Sequence, residues 1–305
     1  MNRTTVLLTA VFLVLLAATV YLLWPEGERQ ASYELVDRYL EVDSAKATMM
    51  ALRSNETVVR FEKIGGEWFI TAPLKDKADQ TSILQLLAQT RSFEVKSLVS
   101  ENPARQSMFE VDTSGTLLVF GGSDGTVDSL IVGKSAPNFL DRYVRKVGSD
   151  KVYLAGGLKS WLLRRKVKEW RDKTIVNMPR ESLQRVAVTL GRPERTPSEN
   201  SYILEKREDR WFVGPDSTKE SAVNSLLRAL SPLKADDVVD SSVTLPPKPS
   251  VEVEVVGDET VTLRFFPIPS DTLKSWVTAS NSARLYKVSQ WSVKRFMKSR
   301  DEFIK

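Results

Sequence analysis

The chain has 305 residues, 42% hydrophobic and 27% charged, enough for two domains with cores of their own. Lys and Arg total 44 against 39 Asp and Glu, and the net charge of +5 is too weak a field for a nucleic-acid-binding protein. The chain contains no cysteine and no histidine, which excludes disulfides, thiolate nucleophiles, Ser-His-Asp triads and zinc sites of the usual nitrogen and sulfur kind.

Residues 4–24, TTVLLTAVFLVLLAATVYLLW, carry no charge. A helix of the 19 residues from Val6 to Trp24 is roughly 28 Å long, close to the hydrocarbon thickness of a bilayer. Tyr21 and Trp24 fall at its far end, where amphipathic rings favour the headgroup zone, and Pro25 stops the helix. The pattern predicts an N-terminal transmembrane anchor over 1–25. Ala17 and Ala18 lie inside the run rather than after it, unlike a cleaved signal peptide. Arg3 on the near side orients the N-terminus to the cytoplasm and the rest to the periplasmic side of an inner membrane.

The remainder reads as one module written twice, over 26–177 and 178–305. FEKIGGEWFI (61–70) aligns with LEKREDRWFV (204–213) at an offset of 143, each an alternating apolar pattern broken by a turn, Gly65-Gly66 or Glu208-Asp209. This is the signature of a β-hairpin. SILQLLAQTRSFEVKSLV (82–99) then matches SAVNSLLRALSPLKADDVV (221–239), with Ile83, Leu86 and Leu87 opposite Val223, Leu226 and Leu227. That spacing predicts an amphipathic helix, capped by Asp79 or Ser82 in the first copy and by Ser217 or Ser221 in the second. Strand pairs follow at 116–133 and 251–266, and again at 142–155 and 275–288. Each copy closes with a basic helix, KSWLLRRKVKEWRDK (159–173) or SVKRFMKSRDEF (292–303), both carrying Arg-Asp near the end, at Arg171-Asp172 and Arg300-Asp301. Local hairpins together with helices give the class α+β: a transmembrane helix followed by two tandem hairpin–helix–antiparallel meander–helix modules.

Several groups have the residue types of a site. Trp68 and Trp211 are aromatic core anchors in preference to ligand-stacking residues, because large aromatics beside Phe in a strand belong to cores. GSDGTVD (122–128) has the look of a cation loop but lacks the closing Glu of a twelve-residue calcium loop, and reads as a hairpin turn. Asp236-Asp237 and the repeat-related Glu62 and Glu205 are the candidate acid pairs for glycoside cleavage, in no recognisable catalytic frame. Lys159-Ser160, Lys274-Ser275 and Ser292-Val293-Lys294 miss the S-x-x-K spacing of a serine–lysine nucleophile. The helix expected over 159–173 combines Trp161, Leu162, Leu163, Val167 and Trp170 with seven cations. Its readings are a core-facing stripe with a solvated basic face, a helix on anionic headgroups, or one docked on a partner. No residue is assigned to catalysis, to a cofactor or to a metal.

Taken in order, the N-terminal span, GGEWFITAPLKDKADQTSILQLLAQTRSFEVKSLVSE (65–101), the RYVR and KVYLA strands, WRDK (170–173) and the second WFV and LLRAL phrases resemble the bacterial domain-of-unknown-function family 4340. SMFEVD (107–112) and GPDS (214–217) depart from its pattern. Members of that family are found beside components of an ABC-type transport system related to gliding motility. The resemblance therefore implies a non-catalytic accessory subunit of a transport assembly, with inner-membrane or envelope proteins, ABC permease components among them, as partners. Two readings of other classes stand beside it. A carboxylate-dependent hydrolase of envelope glycan requires two acids about 5–10 Å apart in a cleft. A lipid- or ligand-binding module requires an apolar pocket of a few hundred Å³.

Overall fold

The computed structural model describes residues 39–40, 46–54, 57–191 and 201–304. The expected span over 4–24 lies outside the described residues. The chain divides into two compact units, 1–170 and 171–305, where the sequence placed the boundary between 177 and 178.

In the first unit, β1 (Ala47–Ser54), β2 (Thr57–Ile64) and β3 (Glu67–Ala72) form successive hairpins, with β4 (Asp76–Lys77) beside β3. Alternation puts Met50 opposite Phe61 and Leu52 opposite Val59, while Phe61 also faces Ile70, so these side chains fill one face. Helix α1 (Gln80–Arg91) buries Ile83, Leu86 and Leu87. Asp79 caps it by accepting the Ser82 amide at 2.7 Å. After α1 come β5 (Glu94–Ser100), β6 (Thr116–Gly122), β7 (Val127–Ser135), β8 (Arg142–Lys146) and β9 (Val152–Gly156). All pair antiparallel in the order β4-β3-β2-β1-β6-β7-β8-β9-β5. A small second cluster of Val111, Ile131 and Val152 joins Phe109, Leu117 and Tyr143.

The second unit opens with β10 (Thr174–Val176) and then carries β11 (Arg185–Leu190), β12 (Tyr202–Arg207), β13 (Arg210–Val213) and β14 (Asp216–Ser217). Helix α3 (Glu220–Leu230) follows, numbered after α2 (Ser160–Leu163) of the first unit. Next come β15 (Leu233–Lys234), β16 (Asp237–Val239), β17 (Val251–Val256), β18 (Thr260–Ile268), β19 (Asp271–Ala279), β20 (Ser282–Ser289) and α4 (Gln290–Lys294). The large sheet runs β14-β13-β12-β11-β17-β18-β19-β20-β16, position for position the order of the first, while β10 and β15 form a separate pair. The amide before each long helix reaches the carbonyl of a fully buried aromatic at 2.7 Å, Asp79 to Trp170 and Lys219 to Phe303. Trp170 thus corresponds to Phe303, an offset of 133, whereas aligning the Arg-Asp pairs uses 129.

Three features depart from expectation. The class is mostly β rather than α+β: 48% of the described residues are strand and 19% helix, in two large antiparallel sheets. No helix among the described residues is long and apolar enough to cross a membrane, and the span expected over 4–24 is not among them. The basic closing helices do not form. Residues 159–173 supply only the four-residue α2 and a 3-10 turn over Val167–Glu169, and the second closing segment supplies α4 and a turn over Arg300–Glu302. A continuous helix sets Arg164 against Lys168 at i, i+4 and points Leu162 away from the face shared by Leu163 and Trp170; the broken path buries all three. Finally, the capping position before α3 is Lys219, which offers no side-chain acceptor, and neither Ser217 nor Ser221 caps the helix.

Candidate functional site

The segment that replaces the expected basic helix builds a groove. Leu162 and Leu163 anchor α2 in the core, and Lys166 is extended, with φ −73 and ψ 156. The Glu169 carboxylate accepts the Lys166 amide at 2.7 Å, closing the 3-10 turn. Residues 164–168 then face the Ser54–Thr57 end of the β1–β2 hairpin across a groove of about 540 Å³. Arg164, Arg165, Lys166 and Lys168 line it with Ser54, Thr57, Leu52, Val59 and Val167, and no carboxylate among the described residues does.

Arg165 is held in place. Its guanidinium carbon lies 5.0 Å from the Trp161 ring centroid and 5.4 Å from that of Trp170, and it donates to the Ser82 hydroxyl on α1. Cation–π contact on two rings restrains a side chain that otherwise has many rotamers. A second cation sits against the same short helix. Arg142 on β8 is buried and donates to the Gly133 carbonyl, to Ser135 Oγ at 3.2 Å and to Ser160 Oγ, all neutral oxygens. Burial lowers its pKa, the positive charge of Arg164 lowers it further, and Glu110 opposes both. Ser160 and Arg164 bracket α2, so this is a region of concentrated positive potential. Sequence reasoning singled out the cations of 164–168 but gave no sign of Arg142, because RYVRK reads as an ordinary half-buried strand.

The groove in the second unit, about 560 Å³, has another character. Arg185, Glu252, Glu254 and Arg300 line it. Its charges are matched across strands: Arg185 with Glu254, Arg264 with Glu252 at 2.8 Å, and Arg300 with Asp216 at 2.6 Å. Such ladders support a sheet surface.

The remaining sequence candidates fall as follows. Trp68 is 2% exposed in the core of the first unit, and Trp211 packs partly buried on the core of the second. Glu62 is exposed on β2, and Glu205 belongs to the other unit, within reach of Arg185 and Arg207. Asp236 is exposed, and Asp237 Oδ1 accepts the Val238 amide. GSDGTVD forms the β6–β7 turn, where Asp124 Oδ1 accepts the Thr126 amide at 3.0 Å. Ser160 is engaged by Arg142, Ser275 is buried and donates to Gln290 Oε1 at 2.8 Å, and Ser289 caps α4. Among the described residues no three acidic side chains gather as metal ligands.

A surface turn is the other unusual feature. Between β7 and β8, Phe139 and Leu140 are 86% and 80% exposed. Phe139 has φ 58, a left-handed conformation that is uncommon for a bulky residue. It persists because the turn is tied on every side. Asn138 Oδ1 accepts the Leu140 and Asp141 amides at 3.1 Å, and Asn138 Nδ2 donates to Asp141 Oδ2 at 2.8 Å. Lys96 Nζ grips both Asp141 oxygens at 2.8 and 2.9 Å. Nothing in the sequence announced this turn beyond Pro137-Asn138.

The first antiparallel β unit thus carries a cationic groove and an exposed apolar turn, and the second a groove with its charges paired. A family model described as Domain of unknown function (DUF4340) matches residues 68–251, and the chain belongs to that family. No curated protein and no solved structure matches the chain.

Proposed function

We propose that the protein is a non-catalytic, single-span envelope protein. On this reading residues 4–24 hold it in the inner membrane, its N-terminus is cytoplasmic, and its periplasmic part binds other envelope proteins as an accessory subunit of a transport assembly. The observation that carries the binding role is the Phe139–Leu140 turn. Two large apolar side chains stand in water on a backbone that spends strain, and an ion pair of partly exposed Lys96 with buried Asp141, to hold them there. A fold has no use for that arrangement, whereas a partner pocket has, since preformed apolar anchors bind with little ordering cost. The apolar run of 4–24 and the lack of imidazole and thiol in the whole chain support the tether and the non-catalytic reading.

The test is photocrosslinking in native membranes, with a photoreactive residue at position 139 of the full chain and, as control, at exposed Lys63. Recovery of one discrete envelope or permease partner from position 139 alone supports the reading. Equal, diffuse labelling from both positions overturns it.

A further inference from the structure

We propose that the groove between α3 and Arg295, the residue after α4, binds a short saccharide segment, with the Trp291 indole as its stacking face. The groove belongs to the second unit and does not rest on the partner-binding role of the apolar turn. It measures about 560 Å³ and is lined by Glu220, Ser221, Asn224, Ser225, Arg228 and Arg295, all polar. None of these side chains makes a hydrogen bond or ion pair among the described residues, although a carboxylate and two guanidinium groups share the groove. Trp291 stands beside them, 66% exposed, with the Arg295 guanidinium carbon 4.9 Å from its ring centroid.

The first unit carries the same pair put to internal use. Trp161 and Arg165 recur as Trp291 and Arg295 at an offset of 130. Arg165 also donates to the Ser82 hydroxyl on α1, and Gln80 is spent on the Trp68 backbone and the Ala78 carbonyl. At the offset of 140 that aligns the two long helices, Ser82 becomes Ala222, Gln80 becomes Glu220 and Leu84 becomes Asn224. Ala222 has no acceptor to offer, so the Arg295 donors are left to the groove.

A pyranose ring matches this set. Its C–H face packs on an aromatic face. Each hydroxyl both donates and accepts, which suits Asn and Ser side chains placed between an acceptor-only carboxylate and donor-only guanidinium groups. A phosphate only accepts, and the Glu220 carboxylate repels it. Glu220, Asn224 and Arg228 are spaced by four residues, so they follow one face of α3 over roughly 12 Å, room for more than one sugar ring. The cation over its face restrains the Trp291 ring, so less conformational freedom is lost on binding. Two guanidinium groups against one carboxylate also admit a sugar that bears a carboxylate.

The experiment uses the full chain in a detergent without a sugar headgroup. The indole N–H resonances are followed by NMR, with that of Trp291 assigned through Trp291→Phe. The probes are maltotetraose, chitotetraose and tetragalacturonate at millimolar concentration, with inorganic phosphate beside them. A saturable shift of the Trp291 resonance with any saccharide supports the site, and the probe that binds best tells hydroxyl, acetamido and carboxylate recognition apart. Calorimetry with that probe then compares variants. Trp291→Ala weakens binding about tenfold, and Arg228→Gln about threefold or more. Both positions are exposed, so neither change disturbs the core. Trp161→Ala, the matching change in the first unit, leaves binding as it was. No shift with any saccharide, a shift with phosphate alone, or equal weakening by Trp291→Ala and Trp161→Ala overturns the proposal.

Discussion

The carbonyl of Trp170 accepts the Asp79 amide at 2.7 Å, fastening the residue just before α1 to the last residue of the first unit. The indole meets Phe61 edge-on at 5.2 Å and is fully buried, yet its Nε1–H has no hydrogen-bond acceptor among the described residues. Its contribution is therefore packing. Trp170→Ala is expected to cost about 3–5 kcal/mol through lost contacts and a cavity. Trp170→Phe, which sacrifices no hydrogen bond, is expected to cost less than about 2 kcal/mol. Urea unfolding of the two variants measures the difference.

The two long helices begin unequally. Asp79 caps α1 with its carboxylate, whereas Lys219 brings to α3 a side chain that cannot accept and a positive charge at the positive end of the helix dipole. Asp79→Ala should destabilise the first unit by about 1 kcal/mol. Lys219→Asp should stabilise the second by about 0.5–1 kcal/mol, because Lys219 is exposed and its amide contact to Phe303 is unaffected. Thermal unfolding with a probe in each unit reads both.

The Asp141 carboxyl is held below the usual carboxylate range, mainly by its hydrogen bond to Lys96 and also by Asn138, against an opposing push from burial. A carboxyl whose folded pKa lies below its unfolded one stabilises the fold above the unfolded value, and loses that contribution as pH falls through the folded value. Asp141→Asn should therefore cost about 1 kcal/mol at neutral pH. The gap from wild type should shrink on acidification. Stability measured against pH for both proteins tests this.

Relief of the Phe139 backbone separates strain from function. Phe139→Gly is expected to stabilise the first unit by up to about 1 kcal/mol, since glycine adopts φ 58 without penalty. The same variant should lose crosslinking of a neighbouring photoreactive residue to the partner. A protein that is more stable and no longer engages its partner is the outcome expected; unchanged crosslinking places the anchor elsewhere.

What the sequence made legible was local. The β2–β3 hairpin around Gly65-Gly66, the amphipathic face of α1 and the core position of Trp68 follow from period and turn chemistry within a dozen residues. The strand content was underestimated because β5 follows α1 after Ser92 and Phe93 and was read as part of the helical block. Its partner β9 begins at Val152, so no local pattern disclosed the pairing. The basic segment was misjudged because helical spacing of Leu163, Val167 and Trp170 is real, while the burial of Leu162 and the repulsion among adjacent cations act in three dimensions. Arg142 was invisible because Gly133, Ser135 and Ser160 converge on it only in the folded unit, and the Phe139 turn because its Asp141 is completed by Lys96 of β5.

The strand over Glu94–Ser100 is made early, but its neighbour in the sheet is the last strand of its unit. A polypeptide delivered from its N-terminus therefore exposes an unsatisfied β edge through more than fifty residues of further delivery, until Val152 arrives. The second unit repeats the interval between Val239 and Ser282. Each half thus has a vulnerable window while the chain is being supplied, in which a holding factor or a rapid supply of chain decides between completion of the sheet and capture by a neighbour.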